Sequence, residues 1–257
     1  MGALHEGHAS LVHAARAAGD FVCVSIFVNP TQFGPNEDFA RYPRPLADDL
    51  RLCEDLGVEL VFAPDVSEIY QGRALTTVHV DRLGNGLCGP HRPGHFDGVC
   101  TVVAKLFHIV APDRAYFGEK DAQQLALVRR MTGDLDFAVQ VVGCPIVREP
   151  DGLALSSRNR YLSAADRLQA TSLHAALQHG RRMIHAGQRD VRAIVGAMRS
   201  AIEAAGPCRI DYVSIVEPKE LQPVARIDGT VLMALAVWIG ATRLIDNLAV
   251  DPAQSGE

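Results

Sequence analysis

Residues Phe21–Val28, FVCVSIFV, decide the fold class. All of them except Ser25 are apolar, and β-branched and aromatic side chains dominate the run. A short apolar run of this kind predicts a β-strand buried on both faces, as in a parallel sheet covered by helices. Helical patterns flank the strand at Ser10–Ala18 and Leu46–Leu56, and a glycine follows each of them.

Strand and helix patterns continue to alternate through the first half of the chain. The predicted strands are Val58–Phe62, Ala115–Phe117 and Phe137–Val142, with a further short strand at Thr77–Asp81, and the predicted helices are Val99–Val110 and Ala122–Met131. Such alternation indicates an α/β fold with a Rossmann-like, doubly wound parallel sheet. Ligands on these sheets bind at the carboxyl ends of the strands.

The pattern changes after about residue 145. Residues 164–205 form two predicted helices broken near Gly187, and Ile210–Val216 and Thr230–Ile239 are predicted strands. This indicates a smaller C-terminal α+β lid domain, with residues 145–160 as the joint. We therefore expect a Rossmann-like domain at residues 1–146 and a lid domain at residues 147–257.

Length, charge and cysteine content limit the classes of protein to which this chain can belong. The chain has 257 residues, enough for a sizeable core, and a net charge of −5, which argues against a broad nucleic-acid surface. No apolar run is long enough to span a membrane, and no signal-peptide pattern is present. The six cysteines are scattered without a C-x-x-C pair, which favours reduced core thiols. We expect a soluble cytoplasmic protein that binds neither nucleic acid nor membrane.

The first eight residues, MGALHEGH, place His5 and His8 on one face of a helix start behind a glycine-rich entry. Backbone N–H groups and the positive end of the helix dipole suit a nucleotide phosphate there. Imidazole donors aimed at the phosphate oxygens would stabilise negative charge in the transition state. Two ordinary surface histidines are the alternative interpretation.

Two downstream segments also carry side chains suited to binding phosphate. Phe117–Asp121, FGEKD, puts Lys120 just after a glycine at a strand-to-helix turn, and Ser156–Asn159, SSRN, offers hydroxyls, a guanidinium and an amide. Together they are typical of a phosphate clamp. A solvated surface lysine and a plain polar loop are the alternatives.

The long loop Gly84–Gly98 is dense in glycine, proline and histidine, and long ordered loops are often functional. Zinc binding by Cys88, His91 and His95 is a weak hypothesis, because their spacing matches no closed zinc site.

Taken together, these residues resemble the pantoate–β-alanine ligase family of the His-x-x-His nucleotidyltransferases. The resemblance runs over almost the whole chain. It is densest in six ordered segments: Met1–His8, Ser25–Gly34, Tyr42–Arg44, Arg92–Val110, Phe117–Leu125 and Val147–Ser163.

The resemblance implies an AMP-forming ligase that makes a C–N bond. Pantoate and ATP would give pantoyl adenylate and pyrophosphate, and β-alanine would then displace AMP to give pantothenate. It also implies Mg²⁺ as cofactor, ATP, pantoate and β-alanine as small-molecule partners, and a homodimer.

The resemblance also implies a role for each residue that matches a motif of the family. The catalytic residues would be His8, His5, Lys120 and Arg158. The ATP-binding residues would be Met1, Gly2, Ala3, Leu4, His5, Glu6, Gly7, His8, Gly118, Glu119, Lys120, Asp121, Val147, Leu155, Ser156, Ser157 and Arg158. Gln32 and Gln124 would bind pantoate, with Gln32 also near β-alanine. Asp48 and Asp49 resemble an acidic pair linked to magnesium, although Leu52 adds no further ligand.

Other interpretations stay open at this point. They are another His-x-x-His nucleotidyltransferase, a class I aminoacyl-tRNA synthetase core, and a non-catalytic adenine-nucleotide-binding module. In the family that the chain resembles, a buried first strand precedes the glycine–histidine motif, whereas this chain begins inside the motif. Either the start codon is an internal Met, or a central strand is absent, with unpaired strand edges and a freer Met1–Leu4 segment.

Overall fold

A computed structural model describes residues 1–35, 37–72 and 74–254. The chain divides into two compact units. Unit 1 comprises Met1–Gly84, Arg92–Glu119 and Gln124–Val147. Unit 2 comprises Asn85–His91, Lys120–Gln123 and the chain from Arg148 onward.

Helices and strands alternate until residue 144, except that the third helix is followed by the fourth with no strand between them. The helices are α1 (Glu6–Ala17), α2 (Leu46–Asp55), α3 (Val66–Ile69), α4 (His95–Val110), α5 (Ala122–Asp134), α6 (Ala164–His185) and α7 (Val191–Ala204). The strands are β1 (Cys23–Ser25), β2 (Leu60–Phe62), β3 (Arg114–Gly118), β4 (Gln140–Cys144), β5 (Cys208–Val216), β6 (Val231–Ile239) and β7 (Thr242–Val250).

Unit 1 contains two parallel strand pairs. β1 pairs with β2 so that Val24 lies opposite Val61, and β3 pairs with β4 so that Tyr116 lies opposite Val142. Side chains of α1, β1 and α2 form a common core, to which the strand contributes the alternate residues of one face. Phe21, on the other face, is exposed, so the predicted burial of both faces does not extend to the beginning of this run. The buried members of this core are Val12, Ala15, Val22, Val24, Ile26 and Cys53.

Met1 lies along the other edge of β1. Its amine donates to the Ser25 carbonyl at 2.9 Å, and the Phe27 N–H donates to the Met1 carbonyl at 3.0 Å. These two bonds form a parallel bridge. The backbone of Met1 is therefore hydrogen-bonded along β1.

Unit 2 is built on an antiparallel sheet in the order β5–β6–β7. The central strand β6 is buried along nearly its whole length, and α6 and α7 contribute to the same core. Ser163 caps α6 by accepting a hydrogen bond from the Asp166 N–H at 3.1 Å.

The predicted fold class is confirmed: parallel strands alternate with helices, and a separate three-stranded antiparallel sheet follows. Two local predictions fail. Residues 77–81 form no strand, and the Val78 N–H instead donates to Thr101 Oγ1 at 2.9 Å. Strand β7 was not predicted, because Asp246 interrupts its apolar alternation. Within the described residues, no helix has the length and apolarity to cross a membrane.

Candidate active site

The two histidines of the first segment sit together at the beginning of α1. His5 is the N-cap residue and His8 lies in the first turn, with ring centroids 4.1 Å apart. The Gly7 N–H donates to His5 Nδ1 at 3.1 Å, and the His5 N–H donates to His8 Nδ1 at 3.3 Å. The two imidazoles therefore satisfy orphan N–H groups at the helix end.

These bonds also select a tautomer for each ring. A nitrogen that accepts a backbone N–H carries no proton, so a neutral His5 or His8 holds its proton on Nε2. Both rings are thereby preset as Nε2–H donors. Such a fixed pair is suited to stabilising charge on phosphate oxygens, since the donors need no reorganisation during the reaction.

Asp49 holds the glycine-rich entry from α2. Its Oδ2 accepts the Ala3 N–H at 2.9 Å and its Oδ1 accepts the Leu4 N–H at 2.7 Å. The carboxylate is only 2% exposed, and Ala3 adopts a left-handed φ of 50°, which is uncommon for a non-glycine residue. Asp49 therefore shapes the backbone that leads to His5, and these two N–H groups already have an acceptor.

Asp48 and Asp49 have different partners, so the structure adds no support to a magnesium site that they share. Both oxygens of Asp49 are engaged by backbone N–H groups, whereas Asp48 pairs with Arg51 at the surface. In the described ranges no group of three or more His, Cys, Asp or Glu side chains could hold a metal ion, and this also removes support for zinc in the Gly84–Gly98 loop.

Gln32 ends a short 3-10 turn, Pro30–Gln32, that follows β1. Asn29, which is buried, caps this turn and donates to Gln32 Oε1 at 3.3 Å and to the Gly98 carbonyl at 3.1 Å. The Tyr70 hydroxyl donates to Asn29 Oδ1 at 2.8 Å, and burial raises the pKa of Tyr70, which keeps this donor protonated. The turn is thus fixed by the hydrogen bonds of a buried asparagine.

A second chain of hydrogen bonds holds the backbone of Gln32. His95 Nδ1 donates to the Gln32 carbonyl at 2.8 Å, so its Nε2 can accept from Arg92 Nη1 at 2.9 Å. Glu37 in turn accepts two bonds from Arg92, at 2.7 and 2.5 Å. Arg92 and His95 belong to the RPGH segment, but their role in positioning Gln32 could not be inferred from sequence separation alone.

Gly98 in α4 packs directly against the turn that carries Gln32. A Cβ at this position would stand 2.6 Å from the Thr31 carbonyl carbon and 2.8 Å from the Gln32 nitrogen. We expect Gly98→Ala to lower the free energy of unfolding by about 1–3 kcal/mol, because backbone atoms must shift. Urea denaturation measures this change.

The matched control is Gly196→Ala in the interior of α7, where an added Cβ meets nothing within 4 Å. That substitution is expected to stabilise the protein by roughly 0.5–1 kcal/mol, because alanine is the better helix former. If the two variants are equally stable, then close packing of α4 on the Thr31 backbone is not what holds the turn.

The remaining predicted residues of unit 1 follow its later strands. Gly118 ends β3 and Glu119 begins the short turn after it, while Val147 lies just beyond β4. Gln124 is half-buried in the first turn of α5. These positions agree with the rule that parallel sheets bind ligands at the carboxyl ends of strands.

Unit 2 contains the predicted cationic groups. Lys120 and Asp121 lie in a 3-10 turn, and Lys120 Nζ is 3.9 Å from Asp121 Oδ2. The Lys120 carbonyl accepts a hydrogen bond of 2.9 Å from Asn247 Nδ2. The backbone that carries this lysine is therefore attached to β7.

The SSRN segment forms a second 3-10 turn, Ser157–Tyr161, just after Leu155. Ser156 caps it by accepting the Arg158 N–H at 3.3 Å. Ser157 is buried, and Asn159 Nδ2 donates to the Ala154 carbonyl at 3.1 Å. This segment therefore consists of one structural serine cap, one buried serine and a half-buried arginine at the beginning of the turn.

Comparison with known proteins identifies the family of the chain. A sequence profile of the family described as Pantoate-beta-alanine ligase matches residues 1–249. The chain belongs to the pantoate–β-alanine ligase family. Its members are ligases that form an amide C–N bond, and the predicted ligase class is confirmed.

Individual relatives span nearly the full chain. The pantothenate synthetase of Moorella thermoacetica is 55% identical over 251 residues, which cover 98% of this chain and 89% of that protein. The pantothenate synthetase of Acidobacterium capsulatum is 56% identical over 248 residues, which cover 96% of this chain and 83% of that protein.

Solved structures of the family share the fold. The crystal structure of pantothenate synthetase from Thermus thermophilus matches with a TM-score of 0.93 and 49% identity, covering 96% of this chain and 90% of that one. A pantoate–β-alanine ligase from Francisella tularensis, complexed with beta-gamma ATP and β-alanine, matches with a TM-score of 0.79 and 34% identity, covering 98% and 89%.

Proposed function

We propose that this chain condenses pantoate with β-alanine at the expense of ATP, through a pantoyl-adenylate intermediate. The observation that carries the proposal is the pair of imidazoles at the beginning of α1, with both Nδ1 atoms bound to backbone N–H groups and Nε2 set as the donor. Family membership and the ATP and β-alanine complex of the Francisella tularensis relative support the choice of substrates.

The reaction has two steps. A carboxylate oxygen of pantoate attacks the α-phosphorus of ATP, the bond to pyrophosphate breaks, and a mixed anhydride with AMP forms. The β-alanine amine then attacks the acyl carbon, so that the C–N bond forms, the C–O bond to AMP breaks, and the nitrogen loses a proton to solvent. Negative charge grows on the phosphate oxygens in the first step, which is where cations and N–H donors lower the barrier.

We assign His8 and His5 as donors to the phosphate that is attacked, and Lys120 and Arg158 as cations that neutralise the phosphates. The rest of Met1–His8 would contact the nucleotide. So would the residues at the ends of β3 and β4 and at the SSRN turn, namely Gly118, Glu119, Asp121, Val147, Leu155, Ser156 and Ser157. Two of the N–H groups in Met1–His8 already donate to Asp49, so they contribute shape rather than donors.

Gln32 and Gln124 are proposed as the amides that bind pantoate, with Gln32 also near β-alanine. Their support is chemical: neutral amides both donate and accept, as a hydroxy acid requires. The hydrogen bonds from His95 and Asn29 fix the backbone and side chain of Gln32, and this reduces the entropy lost when a small substrate binds.

Mg²⁺ is proposed to arrive with ATP, since it is commonly held by substrate phosphates and one or two carboxylates. Asp48 and Asp49 are not its ligands in this proposal, for the reasons of geometry given above. We further propose a Rossmann-like domain at residues 1–146, a C-terminal lid domain at residues 147–257, a homodimer, and a location in the cytoplasm, each supported by the family resemblance.

The adenylate route predicts that pyrophosphate appears from ATP and pantoate without β-alanine. Its burst should not exceed the enzyme concentration if the adenylate stays bound. AMP should appear only after β-alanine is added, and ¹⁸O from the pantoate carboxylate should be found in AMP. A quenched-flow assay with each substrate omitted in turn measures pyrophosphate and AMP, and mass spectrometry of the AMP detects the label.

Two outcomes would contradict this proposal. Pyrophosphate that appears only with β-alanine, or AMP without the label, would overturn the adenylate step. ATP binding with no pyrophosphate under any condition would instead indicate the non-catalytic nucleotide-binding module.

A further inference from the structure

Asp246 occupies a position on β7 where the alternation of buried side chains predicts an apolar residue. Leu244, Leu248 and Val250 share its face of the strand and pack in the core of unit 2. Asp246 is only 3% exposed. A carboxylate among such side chains costs free energy unless a cation and hydrogen bonds offset its lost hydration.

Arg148 supplies that cation in a forked geometry. Its Nη1 donates to Asp246 Oδ2 at 2.7 Å and its Nη2 donates to Oδ1 at 2.9 Å. The Asn247 N–H donates to the same Oδ1 at 2.7 Å. Apolar residues of similar volume often give equal or greater stability than a buried ion pair. Stability alone therefore does not explain why two charges are placed here.

The pair connects β7 to the hairpin that precedes the SSRN turn. Arg148 bridges to Ala154 and donates to the Gly152 carbonyl at 3.0 Å, which closes the hairpin. Asn159, inside the turn, donates to the Ala154 carbonyl at 3.1 Å and to Glu149 Oε1 at 2.8 Å. The position of the turn that carries Arg158 is therefore set from Asp246.

The next residue of the strand makes the second connection. Asn247 is 6% exposed, and its side chain donates to the Lys120 carbonyl at 2.9 Å. Successive side chains on a strand point to opposite faces, so β7 can hold different segments through neighbouring residues. Asp246 and Asn247 thus attach the SSRN turn and the Lys120 turn to one rigid strand.

We propose that Arg148, Asp246 and Asn247, here termed the β7 anchor, are positioning residues that hold Lys120 and Arg158 in a fixed relation to each other. The inference rests on the proposed function in one respect, namely that these two cations contact the nucleotide phosphates. Misplacement of a catalytic group by about 1 Å can cost roughly 100-fold in rate. An anchor on a buried strand prevents such misplacement.

The first test replaces the ion pair with apolar residues of similar size, Arg148→Met with Asp246→Leu. We expect a melting temperature close to that of the parent and a fall of roughly 10-fold or more in the rate of pyrophosphate release at saturating ATP and pantoate. The KM for β-alanine, measured from preformed adenylate, should stay unchanged. Arg148→Lys, which keeps the charge but loses the fork, should recover part of the rate.

The matched control is Arg243→Met with Asp211→Leu. This pair lies on the same sheet, with an Nε–Oδ2 distance of 2.7 Å and side chains 15% and 8% exposed. It makes no hydrogen bond to the Lys120 turn or to the SSRN turn among the described contacts. Its removal should leave pyrophosphate release unchanged. Equal loss of rate in both pairs would overturn the positioning role.

A second test uses Asn247→Ala in the parent and in a Lys120→Ala background. If Asn247 acts through Lys120, the substitution slows adenylate formation several-fold in the parent and adds little in the second background. The same fold-change in both backgrounds would overturn the inference. This comparison remains decisive even if the Arg148→Met, Asp246→Leu variant does not fold.

Different results would overturn the phosphate roles of Lys120 and Arg158 and the positioning role of the β7 anchor. Normal adenylation rates in Lys120→Ala and Arg158→Ala would remove the proposed phosphate roles themselves. Slow rates in those variants, together with a normal rate when the ion pair is replaced, would overturn only the positioning role of the β7 anchor.

Discussion

His8→Ala is expected to slow formation of pantoyl adenylate by roughly 10²–10³-fold, the usual cost of losing one preorganised transition-state donor. This corresponds to about 3–4 kcal/mol of barrier. The affinity for ATP should change far less, because the donor acts mainly on charge that develops during the reaction. Single-turnover pyrophosphate release gives the rate, and equilibrium binding gives the affinity.

Two further substitutions separate the catalytic role of His8 from its structural one. An asparagine side chain can still accept the His5 N–H as Nδ1 does, but it places no donor at the position of Nε2. A glutamine reaches farther and can donate near that position. We therefore expect His8→Asn to be as slow as His8→Ala, and His8→Gln to recover part of the rate.

His13, an exposed residue of the same helix, provides the control. His13→Ala should leave adenylation unchanged. The assignment of His8 fails if His8→Ala forms the adenylate at the parent rate. It also fails if His8→Asn restores activity, since the cap and not the Nε2 donor would then matter.

Lys120→Ala and Arg158→Ala are each expected to slow the same step by roughly 10²-fold, because each removes a cation that balances charge on the phosphates. If both cations act on one phosphate group, the double variant should be slower than either single variant but less than the product of the two effects. The experiment is pyrophosphate release without β-alanine in the four members of this cycle.

Arg160, an exposed arginine two residues beyond Arg158, is the control for simple loss of positive charge. Arg160→Ala should react at the parent rate. Fully multiplicative effects of Lys120→Ala and Arg158→Ala would mean that the two cations act independently. A fall in β-alanine attack with normal pyrophosphate release would place them in the second step instead.

Local patterns predicted most of the secondary structure. The two helices of residues 164–205 lie near their predicted positions, and so do the parallel strands. The reason is that burial imposes a period on the apolar residues of each element. The predictions failed where the period was weak or interrupted. Residues 77–81 alternate between polar and apolar side chains, but the Val78 N–H donates to Thr101 and not to a neighbouring strand. In β7, the charged residue Asp246 lies on the face that packs in the core.

For the candidate site, the sequence indicates groups that are close in the chain but not partners that are distant in it. Chemistry carried by neighbouring residues, such as the pair His5 and His8, is visible because three positions along a helix share one face. Asp49 illustrates the opposite case, since two adjacent acidic residues say nothing about which donors reach either of them. Its partners, Ala3 and Leu4, are 46 and 45 residues away in the chain.

The sequence by itself determined the α/β fold class and the family, because these depend on local periodicity and on short ordered segments. Only the tertiary structure decided the structural role of Asp49 and the connection of Lys120 and the SSRN turn to β7. The physical reason is that these depend on hydrogen bonds between distant residues. The fork from Arg148 to Asp246 joins positions 98 residues apart, and no local pattern encodes such a pair.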